Sequence, residues 1–402
     1  IAGIIMQSYE QALECIVNDV NMAKSSEMVP LSQAHGRVVA QTLYAESALP
    51  ATNKSAMDGY ALRFDDLDTR EDCLPVSARI AAGDFAGALM PKSVARIFTG
   101  ADLPAGADTV VMQEDVVRTD DSISLRQLPS RGENVRRRGE DIAEGEALVT
   151  RGRQIDATLL GLLAAQGIAT IPCFCQLTVA FFSTGNELCE PGDSLQPGQI
   201  FNSNRFAVAA QIRDAGAVPI DLGVCGDSKE ATLSLLKKGA ALADCIITTG
   251  GVSVGEEDHV KSCIEHLGNM EAWKVAMKPG KPIAFGRVNS VRIFGLPGNP
   301  VSAFVTFHVL VRPWILQQSG RNDFLPRYLM AVSAGSAVNE GGRLDFRRAI
   351  MTQSDAGQWQ VRLFARQGSG TLSSLAQCNV LLPMQAGVEI CAGDAVEVIP
   401  IK

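Results

Sequence analysis

The sequence predicts a multidomain protein of α/β and β class, centred on a sheet of parallel strands with helices on both faces. Three observations carry that prediction. Strand and helix patterns alternate from residue 177 to 316, short apolar runs broken by Gly and Pro fill 45–145, and strand patterns alone remain after Arg321. The chain has 402 residues, which predicts roughly two to four domains.

The elements follow in order. Residues 7–24 read as a helix, because Ala12, Leu13, Ile16, Val17 and Val20 recur at helical spacing. A second amphipathic piece, 31–40, follows Pro30. Runs at 93–98, 109–112 and 123–125 then predict a small β-rich unit. Asp156 caps a short helix over 156–166 that ends at Gly167. Strand 177–182 meets Ser183-Thr184-Gly185, and helix 205–215 closes on Gly216. Strand 218–222 precedes helix 228–243, and strand 245–248 meets Thr249-Gly250-Gly251. Helix 260–267 comes next, and helix 301–316 starts at Asn299-Pro300. Ligands of such sheets bind beyond the carboxyl ends of the strands, and three of these strands end in Gly-bearing turns on that edge. Strands at 328–332, 346–351, 359–363, 380–382 and 395–400 make a last β unit.

Composition narrows the partners. A net charge of −8 argues against nucleic acid, which needs a basic face. No apolar run reaches the ~18 residues of a membrane span. Residues 1–6 are apolar but short and lack a basic flank, so they do not read as a signal peptide, and the start at Ile1 reads as trimmed. Ten cysteines without a CxxC pair read as reduced, mostly buried thiols of a cytoplasmic protein rather than a zinc site.

The most informative stretch is Lys278-Pro279-Gly280-Lys281-Pro282, followed by Gly295-Leu296-Pro297-Gly298-Asn299-Pro300, with strand between them. Such loops bare backbone N–H groups beside ammonium groups, which suits an oxyanion. Ser183-Thr184-Gly185-Asn186-Glu187 places Glu187 as an acceptor or metal ligand; a plain surface turn is the competing reading. Gly250, Gly251 and Ser253 lead into Glu256, Glu257 and Asp258. Hydroxyls and amides suit phosphate and carboxylates suit Mg²⁺, against an acid-rich first helical turn as the alternative. Asp227 and Glu230 form a capping-box pattern, the favoured role of Asp227, and a second free oxygen would let it serve a site as well. The run Arg136-Arg137-Arg138-Gly139-Glu140-Asp141 reads first as a solvated patch, although arginine forks suit phosphate. Asp58, in Ser55-Ala56-Met57-Asp58-Gly59, reads equally as an active-site acid or a turn former. The four histidines sit in unrelated contexts, and no Ser-His-Asp order can be drawn.

Together these segments resemble the molybdopterin molybdenumtransferase family (MoeA and the gephyrin E domain). The motifs are SAMDGYA at 55–61, RIFTG at 96–100, NVRRRGEDI at 134–142, STGNEL at 183–188, TTGGVSVGEED at 248–258, MKPGKP at 277–282, GLPGNPVSA at 295–303 and QGSG at 367–370. The resemblance implies four regions: an elongated helical linker (1–45 plus 145–176), a β-rich insert (46–144), a three-layer α/β/α molybdopterin-binding domain (177–325) and a C-terminal β-barrel (326–402). It implies a cytoplasmic homodimer, with the cleft between the α/β domain of one subunit and the insert of the other. The implied reaction is Mg²⁺-dependent hydrolysis of adenylylated molybdopterin with insertion of molybdate. The adenylyltransferase partner and molybdoenzyme chaperones are the further implied partners. Carried over, the family's acidic positions fall on Asp58, Asp141, Glu187, Asp227 and Asp258, with Thr99 beside them. Glu187, Asp227 and Asp258 are the implied Mg²⁺ ligands. Lys274, Lys278, Lys281, Pro297 and Pro300 match the oxyanion cleft, and Arg136, Ser302, Arg347 or Arg348, and Ser369 are further contacts. Asn186, Arg366 and His259 depart from some members without removing a charge. Two rival readings are the related adenylyltransferase and a non-enzymatic scaffold.

Overall fold

The computed structural model describes residues 6–19, 25–68, 73–252 and 259–401. The first helix, α1 (Tyr9–Asn18), is shorter than expected and opens on a capping box between Ser8 and Gln11. Its buried residues Tyr9, Ala12 and Ile16 recur at helical spacing and face the α/β core. There the Tyr9 ring meets Phe346 edge-on at 5.1 Å, and its hydroxyl donates to the Val309 carbonyl. The second helical piece expected over 31–40 is a single 3₁₀ turn, Leu31–Gln33. Gly36 then takes a left-handed φ of 77°, and β-branched Val38 and Val39 form bridges to Gln154 and Cys173. Ser26–Pro30 pairs antiparallel with Thr170–Phe174, and α2 (Ala157–Ala165), capped by Asp156, covers a small core of Val29, Val39, Ile155, Leu163 and Ile171.

Between these flanks lies a β-rich insert. Its six-stranded sheet runs Thr109–Met112, Gly59–Leu62, Val94–Ile97, Leu74–Ile80, Ser122–Leu125, Val116–Thr119. Gly59 is required at its centre, because a Cβ there would collide with the Val111 carbonyl.

The second sheet positions the site. Its strands are β1 (Thr178–Thr184), β2 (Val218–Cys225), β3 (Cys245–Thr249), β4 (Gly268–Lys274), β5 (Pro282–Val288) and β6 (Val291–Leu296), in spatial order β2-β1-β3-β6-β5-β4. The first four of that order are parallel. The far edge departs from the all-parallel expectation: β5 and β6 form a hairpin, and β4, which the sequence pattern did not reveal, pairs antiparallel with β5. Two reversals return β4 to the direction of β6, so Lys274 ends at the same edge as Thr184, Thr249 and Leu296.

Alternation along the strands feeds two cores. Phe181, Ile247 and Phe294 lie in one with Val208, Ile212 and Trp314, while Phe182, Ile246 and Ile293 lie in the other with Leu236, Val260 and Ile264. Helices α3 (Ser203–Asp214), α4 (Lys229–Leu242) and α5 (His259–Leu267) supply those covering residues apart from Trp314, which lies in the last helix of this domain. The helix expected over 301–316 is continuous but not uniform: α6 (Pro300–Thr306), a π turn (Phe307–Val311), then α7 (Arg312–Gln318). Pro313 cannot donate the next helical hydrogen bond, and the wider turn precedes it.

The C-terminal strands close into a five-stranded barrel. Leu344–Gln353, Trp359–Leu363, Leu329–Ser333, Ala395–Pro400 and Val380–Met384 pair in turn, and the last pairs with the first. Closure leaves no unpaired edge in that ring. A helix, Leu372–Gln377, interrupts the strands against expectation.

Candidate functional site

The strand-end turns meet where a chain with no side chain is needed. Gly250 has φ 87°, and a Cβ there would stand 2.7 Å from Thr184 Oγ1; Gly251 has φ 65°. Gly250 N–H donates to the Leu296 carbonyl at 3.0 Å, and Gly298 abuts the Gly250 Cα. The turns after β1, β3 and β6 therefore form one continuous floor.

On the β2 side stand carboxylates. The Asn186 N–H donates to Asp227 Oδ2 at 3.0 Å, and the Asp227 N–H donates to Asn186 Oδ1 at 3.2 Å. The cap expected of Asp227 falls one residue later: Ser228 accepts the Ala231 N–H at the start of α4. Asp227 Oδ1 accepts no hydrogen bond among the described residues. Exposed Glu187 folds back over Gly185, where any Cβ would collide with its carboxylate. Asp258 and Ser253 lie outside the described residues. No group of three potential metal ligands occurs among the described residues.

Lysines stand on the β5 side. Lys278 and Lys281 are exposed ahead of β5, and Lys274 ends β4. Lys278 shares buried Asp345 with Arg347, at 3.4 and 3.1 Å. Gly280 lies so close to Thr306 that a Cβ would collide with its hydroxyl, which ties the lysine loop to α6. Pro297 is buried and Pro300 opens α6. The Ser369 carbonyl accepts the Val301 N–H at 3.2 Å, which brings the 367–370 loop beside that helix.

Three of the expected contacts are buried within the chain. Ser183 donates to Asn202 and accepts from Thr249 at 3.2 and 3.0 Å, and at 1% exposure it holds the turns together from behind. Arg348 is also 1% exposed; its guanidinium binds Ser374 Oγ and the carbonyls of Arg366 and Gly368, so it carries the 367–370 loop and does not face a ligand. Ser302 is 4% exposed, behind the lysine loop.

A second group lies on the insert. Thr99 donates its N–H and its hydroxyl to Asp58 Oδ1, each at 2.8 Å, and these bonds hold the Asp58 carboxyl below its usual range. Arg136 is exposed on a short strand paired with Lys54–Ser55, and Asp141 is exposed five residues on. The guanidinium of Arg96 stacks on Phe98 and Tyr60 and donates to the Gly59 carbonyl, stiffening the Asp58 turn. No hydrogen bond or ion pair joins this group to the sheet edge among the described residues.

A cavity of about 300 Å³ opens at the opposite, amino edge of the sheet, beside Asp19, Arg287, Arg292 and Trp314. Its arginines are paired with Asp19 and Glu271, so the open carboxyl edge is the better candidate. Sequence reasoning missed Asn202 and Asn204. Their signal is an Asn-Ser-Asn run at a helix start, where Asn202 caps α3 and Asn204 Nδ2 donates to the Gly298 carbonyl at 2.7 Å.

Three family models cover the chain. The MoeA N-terminal region (domain I and II) matches 7–167, a probable molybdopterin binding domain matches 180–317, and the MoeA C-terminal region (domain IV) matches 318–401. A molybdopterin molybdenumtransferase from Haemophilus influenzae is 37% identical over 401 residues, 99% of each chain. One from Bacillus subtilis is 35% identical over 94% of this chain and 90% of its own. The solved molybdopterin biosynthesis MoeA protein from Pyrococcus horikoshii superposes with a TM-score of 0.83 at 30% identity, over 99% of this chain and 100% of that one.

Proposed function

From the premise that this chain belongs to the MoeA family, we propose that it is a molybdopterin molybdenumtransferase that hydrolyses adenylylated molybdopterin and inserts molybdate into the dithiolene. The observation that carries the reading is the order of chemistry along one sheet edge: carboxylates at β2 and β1, bare glycine turns at β3 and β6, lysines at β5 and β4. At about 4.8 Å per strand, the acid end at β2 and the lysine loop at β5, four strands on, stand about 19 Å apart. That breadth suits an extended substrate with a phosphate-bearing end and a separate oxyanion end.

Glu187 and Asp227 fit Mg²⁺, because oxygen donors and one or two carboxylates beside a substrate phosphate are what that ion accepts; Asp258 is the third ligand of this reading. Bound there, Mg²⁺ would neutralise charge developing on the phosphoanhydride oxygens. The residues of the chain do the rest. The turn amide at Gly251 orients the phosphate side. Lys281 and Lys278 hold the molybdate dianion, which needs cationic donors near it. Asp58, kept ionised by Thr99, and Arg136 complete the cleft from the insert of a second protomer, in a homodimer with two such clefts.

The test is to supply adenylylated molybdopterin, molybdate and Mg²⁺ and to measure AMP release together with reconstitution of an apo-molybdoenzyme. AMP and active enzyme formed in a molybdate-dependent way are expected. Adenylylation of molybdopterin from ATP by this chain alone would instead favour the adenylyltransferase.

A further inference from the structure

The three turns that make the floor of the site do not hold each other alone. Behind them stands the first turn of α3. Asn202 Oδ1 accepts the Arg205 N–H that caps the helix and also the Ser183 hydroxyl, each at 3.2 Å, and Thr249 Oγ1 donates to Ser183 Oγ at 3.0 Å. The side chain of Asn204 donates to the Gly298 carbonyl at 2.7 Å. One short segment thus reaches the ends of β1, β3 and β6.

Capping accounts for Asn202 alone, since a helix N-terminus commonly takes Asn. It does not account for Asn204, whose bond reaches a turn 94 residues away and adds nothing to the helix. We infer that Asn204 is a positioning residue for the proposed reaction, setting the Gly298 turn against Gly250 and so the spacing of the backbone donors that receive the substrate. The inference rests on the functional reading above. Asn204 acts through Gly298 and touches no reacting atom. Losing its bond should weaken binding of ground state and transition state alike, which appears in KM more than in kcat.

The variants are Asn204→Asp, which keeps the shape but sets an acceptor against the carbonyl, and Asn204→Ala. Hydrogen exchange of the Gly250 amide, which donates to the Leu296 carbonyl and so joins the two turns, is measured in the substrate-free full chain, with the thermal midpoint, and KM and kcat are measured with adenylylated molybdopterin. Faster exchange in both variants is expected, with KM raised about 10-fold in Asn204→Asp, kcat within about 3-fold and the midpoint within about 2 °C. Unchanged exchange would overturn the inference, as would a lowered midpoint with unchanged KM, the result of a merely structural role. A wild-type chain without turnover would overturn the functional reading, while the exchange result would still judge the clamp.

Discussion

The two edges of the α/β sheet carry similar residue types and use them oppositely. At the amino edge Arg292 is 2% exposed, with Nη1 2.6 Å from Glu271 and 3.2 Å from Asp19, and Arg287 joins the same carboxylates. Charge there is cancelled inside the chain and fastens α1 to the sheet. At the carboxyl edge, Asp227 and Glu187 stand at one end and exposed Lys281 at the other, separated by glycine turns. These charges remain available to a ligand. Pairing, not residue type, separates Arg292, whose charge holds the fold, from Glu187 and Lys281, whose charge can do chemistry.

The largest expected effect lies at the paired edge. Arg292→Ala removes the buried cation that Asp19 and Glu271 share with Arg287, leaves a cavity in its place, and should cost about 3–5 kcal/mol in urea unfolding, with activity per folded molecule retained. A stable variant that has lost turnover would break the comparison. A half-buried base without a counter-charge gives the next effect. Burial beside Arg312 holds His308 down to about 4, so the native state binds fewer protons than the unfolded chain between that value and about 6.5. Stability should therefore rise with pH across that window and fall by about 3 kcal/mol on acidification from 6.5 to 4. Unfolding curves at several pH values test this, and His308→Gln should flatten the profile.

At the carboxyl edge the effects are on activity. Asp227→Ala should lower AMP release at least about 100-fold, about 2.7 kcal/mol of barrier, with an unchanged thermal midpoint because Ser228 is the cap. Matching losses of stability and activity would return Asp227 to a structural role. Smallest is Lys281→Ala, which should raise the half-saturating molybdate concentration about 10-fold, about 1.4 kcal/mol, without altering stability. An unchanged half-saturation would remove Lys281 from the oxyanion site.

Much of this was legible in the sequence, and the failures have physical causes. Periodicity and Gly-bearing turns located β1, β3 and β6, because buried parallel strands read as continuous apolar runs. The strand β4 escaped, since Gly268-Asn269-Met270-Glu271 has neither an apolar run nor strict alternation. The cap at Asp227 was misread because Asp227 and Ser228 are both good caps, and only the distant Asn186 N–H decides between them. Ser183 and Arg348 point inward and their neighbours Thr184 and Arg347 are more open, a choice of face that motif matching cannot make. The Asn-Ser-Asn run marks a helix start, but the role of Asn204 was hidden because its partner, Gly298, lies 94 residues away.

The proposed site needs the insert of a second protomer to complete the carboxyl edge of the sheet. The direct measurement mixes Asp58→Ala protomers with Asp227→Ala protomers, each inactive alone, and assays AMP release after exchange of subunits. A shared cleft predicts recovery of about a quarter of wild-type activity, because half the dimers would be mixed and each would hold one intact site of two. No recovery, with mixed dimers demonstrated by mass, would contradict it.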